Sequence, residues 1–161
     1  MTTAVLDLKQ HREGLRLAAS VLLHPQIVEE CTEGTDLPTP TIEMVEALFS
    51  RGNVVGIFSG ELVGVAVSMP MPFSPAVWDY HVYMLPGHRG SPASIEGGKM
   101  AARLFLERCE KLMCFIADCY PRCVLHAQRV GFVLVGPICK AFPYHGNLAD
   151  LIVLSLDRGE V

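Results

Sequence analysis

A predicted strand, a short turn and a long predicted helix follow one another near the middle of the chain. This unit constrains the fold more than any other feature. Residues 77–85 are rich in β-branched and aromatic side chains, which favours a strand. Pro86 and Gly87 end it, and residues 93–112 then carry apolar side chains at helical spacing. Such a unit is typical of domains in which helices pack on a sheet.

Further predicted elements surround this unit and make the fold class α/β. Pro25 is interpreted as a residue that ends the first helix or bends the chain, and residues 29–40 as an acidic loop. No repeat or linker divides the chain, so residues 1–161 are predicted to form a single domain. The remaining predictions are strands at 3–8, 54–59, 62–69, 113–117, 132–138 and 148–156, helices at 11–24 and 121–130, and a short helix between an N-cap at Thr41 and Gly52.

The composition argues against several classes of protein. Half of the residues are hydrophobic and 19% are charged, which argues against disorder. The net charge is −4 and no basic stripe is present, so a nucleic-acid binder is not expected. No apolar run approaches the roughly 18 residues that suggest a membrane span. The six cysteines accompany an N-terminus that lacks a signal-peptide pattern, so reduced thiols and a cytoplasmic location are expected.

Two short motifs carry a resemblance to a known family. The first is Val-Tyr-Met-Leu-Pro-Gly-His-Arg-Gly at 82–90, where a strand runs through Pro into an Arg-Gly turn and a helix. The second is Gly131-Phe132, between a predicted helix and an apolar strand. With the order of elements, these motifs resemble the GNAT N-acetyltransferases over nearly the whole chain. The resemblance implies a mixed, mostly antiparallel central sheet of about six to seven strands, flanked by about four helices.

The resemblance also implies acetyl-CoA as cosubstrate and an amine as acceptor. A pyrophosphate needs several N–H donors and positive potential at one place, and the start of a helix offers both. An arginine in the turn adds a charge-assisted contact, and the strand end offers backbone groups to the pantetheine amides, as in the family. The residues expected to contact the cosubstrate are Met84, Leu85, Arg89, Gly90, Ser91, Ser94, Gly97, Gly98 and Lys99.

The turn departs from the usual family pattern, which is Arg or Gln, two residues, Gly, one residue, and then Gly or Ala. Counted from Arg89, the two small-residue places hold Pro92 and Ser94, and Pro92 has no N–H to donate. The pair at 97–98 leaves two registers open. Either both glycines lie inside the helix, where each costs about 1 kcal/mol against Ala, or the loop is longer. In the second register the helix begins near Ser94 or later, the glycines approach the phosphates and Lys99 adds charge.

Three polar side chains of the 77–85 strand, those of Asp79, His81 and Tyr83, alternate onto one face. They are the candidates for an acceptor pocket and its acid–base chemistry. His81 suits proton relay through water, and Asp79 orients it or takes the proton itself. The alternative is a solvated polar face without chemistry.

The leaving thiolate of the resembling enzymes is often protonated by a Tyr four residues before the Gly-Phe pair. Ala127 stands at that place here, which puts catalysis in question. Tyr120 is the catalytic candidate, with His126 and Tyr144 as alternatives. No metal site is predicted, because the cysteines at 109, 114, 119 and 123 are spaced five, five and four residues apart rather than as in zinc sites.

Three functions stay open at this point. The first is an acetyl-CoA-dependent N-acetyltransferase whose acceptor is an amine of a small molecule or a protein. The second is a GNAT-fold binding or interaction module without catalysis, and the third an unrelated α/β enzyme. Family acceptor pockets are built from variable loops, here 29–40, 69–75 and 141–147. The proline-rich segment 69–75 is an acceptor wall, a homodimer contact or a plain crossover loop.

Overall fold

The computed structural model describes residues 2–11, 13–32 and 38–160, and this part of the chain contains nine strands and five α-helices. The helices are α1 (Gly14–Leu22), α2 (Pro25–Thr32), α3 (Ile42–Arg51), α4 (Pro92–Leu106) and α5 (Pro121–Val130). The strands are β1 (Ala4–Asp7), β2 (Asn53–Ser59), β3 (Glu61–Ser68), β4 (Pro70–Met71), β5 (Ser74–Asp79), β6 (His81–Met84), β7 (Lys111–Ala117), β8 (Val133–Tyr144) and β9 (Asn147–Asp157).

The strands form two sheets, of four and five strands. One has the order β1-β2-β3-β6 and the other the order β4-β5-β7-β9-β8. Among the described strands, β5 and β7 form the one parallel pair and all other pairs are antiparallel. The expected mixed, mostly antiparallel architecture is confirmed, with more strands than the six to seven expected and five helices rather than four.

A divergence of neighbouring strands separates the two sheets. β5 runs parallel to β7 from Val77 to Asp79, and the Tyr80 N–H donates to the Met113 carbonyl at 2.8 Å. Directly beyond Tyr80 the chain continues as β6, which pairs with β3 on the opposite side. The gap that opens between β6 and β7 is called the splay below.

Buried side chains pack on both faces of the sheets. Under α4 and α5, Phe105, Tyr80 and Phe132 form the centre of one core, and the Tyr80 and Phe132 rings lie 5.1 Å apart. Under α1 and α3, Phe49 and Leu8 belong to a second core. Burial of these apolar surfaces is the main favourable contribution to folding, and it fixes the two strands that border the splay.

Helix α2 is not expected from the sequence, in which Pro25 is interpreted as an end of the first helix or a bend and residues 29–40 as a loop. The structure places Pro25 at the first position of α2, where a missing N–H costs nothing. The His24 Nδ1 accepts from the Gln26 N–H at 3.3 Å and caps this start. Residues 33–37 of the predicted loop lie outside the described residues.

Three further element bounds differ from the expectation. Helix α4 ends at Leu106, because the Glu110 N–H bonds to the Ala76 carbonyl at 2.9 Å and draws the chain into the sheet. Strand β8 continues to Tyr144 through two prolines, which an edge strand tolerates. The segment 69–75 contains β4 and its turn into β5. No helix within the described ranges is long and apolar enough to cross a membrane.

Candidate functional site

The edge of β6 that faces the splay carries backbone groups without a strand partner. The Leu85 N–H donates to the Val63 carbonyl of β3 at 2.9 Å, whereas the Tyr80 N–H points to β7. Peptide groups alternate in direction along a strand. The N–H groups of Val82 and Met84 therefore face the splay, where β6 has no strand partner among the residues described. An extended amide chain that enters the splay meets these groups in the place of a missing strand.

The turn after β6 leads directly into α4. Gly90 has φ = +68°, which favours glycine. The Ser94 N–H donates to the Ser91 Oγ at 3.2 Å, and the Ser94 hydroxyl donates to the Ser91 carbonyl at 2.9 Å. Both predicted contact residues are thus engaged in capping α4 itself. Pro92 has no N–H to donate. At this positive helix end, the N–H groups of Gly90 and Ala93 make no hydrogen bond to the described chain.

Arg89 is already paired in the structure. Its Nε donates to the Met84 carbonyl at 3.3 Å, and its Nη1 donates to the Glu30 Oε1 at 2.5 Å. The hydrogen bond from Arg89 is the largest influence on the Glu30 carboxyl and holds its pKa below the usual value, although burial opposes this. The two side chains are 35% and 41% exposed, so solvent can reach the pair.

The longer-loop register for the turn is wrong. Helix α4 begins at Pro92, and Gly97 and Gly98 lie more than one turn inside it and are buried. A Cβ on Gly97 would collide with Ile57 of β2, and a Cβ on Gly98 would approach Val130 of α5 to 2.8 Å. The glycines therefore permit close helix packing, and they are not at the helix start where a phosphate would bind. Lys99 is further along the same helix.

Asp79 and His81 lie together beside the splay, as the alternation on the strand predicts. The Asp79 Oδ1 accepts from the Met69 N–H at 2.6 Å, and the Asp79 Oδ2 lies 3.4 Å from the His81 Nε2. The His81 side chain is 41% exposed and that of Asp79 is 19% exposed. The largely buried carboxylate of Asp79 orients the accessible imidazole of His81, and this arrangement suits proton transfer.

Tyr83 stacks on His81, with ring centroids 6.4 Å apart and planes at 11°. Burial is the main reason that the pKa of its hydroxyl is raised, and the nearby Cys31 and Asp79 add to the effect. Tyr83 is therefore neutral near pH 7. It is suited to hold the His81 ring and is not suited to act as a base.

Tyr120 connects two of the three predicted acceptor loops. Its hydroxyl donates to the Glu30 carbonyl of α2 at 3.3 Å, and its ring meets that of Tyr144 at 6.0 Å, edge to face. Tyr144 in turn contacts His145 at 4.4 Å in the β8–β9 turn. The third segment, 69–75, begins at the Met69 N–H that bonds to Asp79 and carries Phe73, which is 70% exposed.

Ala127, which stands where the family's general acid is usual, is buried and has no group that transfers a proton. Its neighbour His126 has a buried Nε2 with no hydrogen-bond partner among the described atoms. Burial, followed by the charge of Arg129, lowers the pKa of His126. This Nε2 faces Gly98 of α4. A buried orphan nitrogen leaves no pattern in a sequence.

No group of three or more metal-ligating side chains suited to an ion occurs within the ranges described. Cys109 and Cys114 are buried in the core, and the Cys114 Sγ contacts the Tyr80 carbonyl at 3.4 Å. Burial raises the pKa of both thiols. They fill space in the core, as the sequence indicates for thiols in an apolar stretch.

No family model and no curated protein matches this sequence. Solved structures do match. The spermidine N-acetyltransferase from Vibrio cholerae, in complex with CoA and spermine, is 14% identical with a TM-score of 0.72, over 98% of this chain and 96% of that chain. The acetyltransferase yncA from Salmonella typhimurium, solved with its cofactor acetyl-CoA, is also 14% identical, with a TM-score of 0.74 over 100% and 96%.

A third match is a Chromobacterium violaceum structure described as a GNAT-family acetyltransferase. It is 16% identical, with a TM-score of 0.72, over 99% of this chain and 85% of that chain. Identities this low establish the architecture alone. The chain has the fold of the GNAT acetyltransferases, as its two motifs and its order of elements implied.

Proposed function

We propose that this chain is an acetyl-CoA-dependent N-acetyltransferase that acts by direct attack of an amine on the thioester. The splay carries the proposal. It combines the N–H groups of Val82 and Met84, which have no strand partner in the described part of the chain, with the Asp79–His81 pair. The solved structures of this fold that contain CoA or acetyl-CoA support it. The acceptor is an amine of a small molecule or a protein.

The cosubstrate side of the proposed site is the turn and the β6 edge. The Gly90 and Ala93 N–H groups lie at the positive end of α4 and suit a pyrophosphate, and Arg89 supplies charge. The Met84 peptide group suits a pantetheine amide. These residues suit CoA, because their backbone N–H groups make no hydrogen bond within the described part of the chain. Arg89 is the exception, since its guanidinium is paired with Glu30.

The acceptor side of the proposed site is His81 with its two neighbours. His81 takes a proton from the attacking amine, directly or through water, while Asp79 holds the imidazole. Acetyl-CoA supplies an acyl group on a thioester. The Val82 N–H polarises the carbonyl oxygen, a C–N bond forms, the C–S bond breaks, and the thiolate takes a proton, for which Tyr120 is the proposed donor.

Release of CoASH across a panel of primary amines tests this function. Steady release is expected with at least one amine. His81→Gln is expected to lower kcat about 100-fold while the Kd for CoA stays unchanged, because His81 lies on the acceptor side. Lys140→Gln, at an exposed position of β8, is the control and is expected to leave both values unchanged. No heat and no thermal shift at millimolar CoA would contradict the proposal.

A GNAT-fold binding module without catalysis is the second candidate. Three observations favour it: the serine-capped helix start, the Glu30 carboxylate on Arg89, and Ala127 in place of a general acid. This function predicts either CoA binding without turnover or no CoA binding and no turnover. The same amine panel separates the two functions, because steady CoASH release rules out an inactive module.

A homodimer contact is proposed for the segment 69–75, as one of the three roles that the sequence leaves open for it. Phe73 is 70% exposed there, and large exposed aromatic side chains are typical of protein interfaces. A concentration-dependent mass in light scattering that is lost in Phe73→Ser supports this role, and a monomer at all concentrations refutes it.

A further inference from the structure

A polar network at the mouth of the splay joins three elements that lie far apart in the sequence. Arg89 of the turn donates to the Glu30 carboxylate of α2 and to the Met84 carbonyl of β6. Tyr120, just before α5, donates to the Glu30 carbonyl. Glu30 is therefore bonded through its side chain to the turn that follows β6 and through its backbone carbonyl to Tyr120, which follows β7.

The carboxylate of Glu30 is bonded to the guanidinium of Arg89, the group that the proposed function assigns to a pyrophosphate. A guanidinium has a planar fork of five N–H donors, and here the Nη1 and the Nε are both engaged. A pyrophosphate on the same fork brings negative charge next to Glu30. Two like charges close together near a protein surface repel each other, and solvent and salt weaken this repulsion at an exposed pair. The two anions therefore compete for one cation.

Helix α2 is lightly held elsewhere, which allows such an exchange. Of its eight residues, all described, Ile27 is the one that is buried. Local segments with few buried apolar contacts open at low free energy. Displacement of Glu30 from Arg89 thus requires movement of a partly exposed helix end and leaves the cores in place.

We propose that Glu30 is a resident counter-anion that competes with the CoA pyrophosphate for Arg89 and so sets the affinity for the cosubstrate. This inference rests on the proposed function, since it assumes that CoA binds at the turn. Glu30 is a positioning residue in this account. It acts through Arg89 and does not touch the reacting atoms.

Binding of CoA and of pantetheine, which lacks the pyrophosphate, tests the proposal by calorimetry on the full chain. Glu30→Gln is expected to tighten CoA binding about two- to fivefold, the range for a partly exposed ion pair, and to leave pantetheine binding unchanged. Glu29→Gln removes the neighbouring carboxylate of the same helix, whose side chain is outside this network, and is expected to change neither.

A second variant shows whether the effect passes through Arg89. Once Arg89→Gln is present, the further change Glu30→Gln is expected to have no effect on the Kd for CoA. Unchanged or weaker CoA binding by Glu30→Gln overturns the role of Glu30 as a competing anion. An equal gain in affinity for CoA and for pantetheine also overturns it, because such a gain would come from an opening of α2 and not from the pyrophosphate. Absence of CoA binding by the wild type and by Glu30→Gln overturns the proposed function and this role together.

Discussion

The turn that leads from β6 into α4 and the helix α2 meet at Arg89, but they are held in different ways. Seven residues of α4 are buried, among them Phe105, Leu106 and both glycines. Helix α2 buries Ile27 alone and otherwise depends on the polar contacts of Glu30. Packing thus fixes the first region, whereas a few partly exposed hydrogen bonds fix the second.

This difference matters for the proposed site. The side that would hold the cosubstrate rests on a close-packed helix, which keeps its N–H groups in place. Helix α2 contacts both Arg89 of the turn and Tyr120, and its end can shift at little cost. Rigid donors beside an adjustable helix suit a site in which Glu30 and the cosubstrate exchange on Arg89.

The largest effect on stability is expected from Gly97→Ala in α4. The added methyl group would collide with the Cγ2 of Ile57 and lie 3.3 Å from its Cβ and Cδ1, and Ile57 is fully buried. Because the collision is severe and Ile57 is fully buried, the cost is expected at the upper end of the usual range for overpacking, about 3 kcal/mol, from which a gain in helix propensity of about 1 kcal/mol is subtracted. Urea denaturation is expected to show a net loss of about 2 kcal/mol.

Gly159→Ala is the matched control for that variant. A Cβ at Gly159 meets no atom within 4 Å, so the free energy of unfolding is expected to change by less than about 0.5 kcal/mol. If Gly97→Ala is as harmless as the control, α4 is not packed closely on β2. The contrast between the two regions then disappears.

An intermediate effect is expected from His126, which lies in α5 against Gly98 of α4. Its pKa is lowered in the folded protein by burial, so the unfolded chain binds the proton first as the pH falls. The contribution of His126 to stability is complete above about pH 6.5, the unfolded value, and decreases as the pH falls towards the folded value. The loss is at most about 1.4 kcal/mol per pH unit.

Urea denaturation at pH 7.5 and at pH 5.5 measures that loss. The wild type is expected to lose more stability between the two values than His126→Gln, whose amide does not titrate. Equal losses in the two proteins would show that His126 is protonated as easily in the fold as in the unfolded chain.

The smallest effect on stability is expected from Glu30→Gln. Its partner Arg89 and its own side chain are both more than one third exposed, and such ion pairs contribute up to about 1 kcal/mol. Thermal denaturation is expected to show a shift of a few degrees at most. A loss comparable to that of Gly97→Ala would place α2 among the packed elements and remove the basis for its movement.

The two regions also differ in how far the sequence predicts them. The Pro, Gly and Arg of the turn and the Ser91 cap act within a few residues, so a local pattern indicates the strand, the turn and the helix. Helix α2 is short, with eight residues and few apolar side chains, and Pro25 is compatible with both an end and a start of a helix. Tertiary contacts such as that between Glu30 and Arg89, 59 residues apart, help to hold it in place.

The candidate site shows the same division. Alternation along one strand was enough to predict that Asp79 and His81 lie together, and the structure brings them within 3.4 Å. No local pattern indicates that Arg89 is paired, that Tyr120 contacts α2, or that the Nε2 of His126 is buried without a partner in the described chain. The glycines at 97–98 left a loop and a helix interior both open, because glycine is typical of both loops and close helix contacts. The close contact with Ile57, which is distant in sequence, distinguishes a helix contact from a loop.

Calorimetric titration of CoA into the wild type and into Arg89→Gln tests most directly whether the turn after β6 holds a pyrophosphate. Saturable heat with the wild type at up to millimolar CoA and a severalfold weaker Kd for Arg89→Gln are expected, because the variant removes the charge at the turn. No heat with the wild type, or equal affinities for the two proteins, would contradict the account.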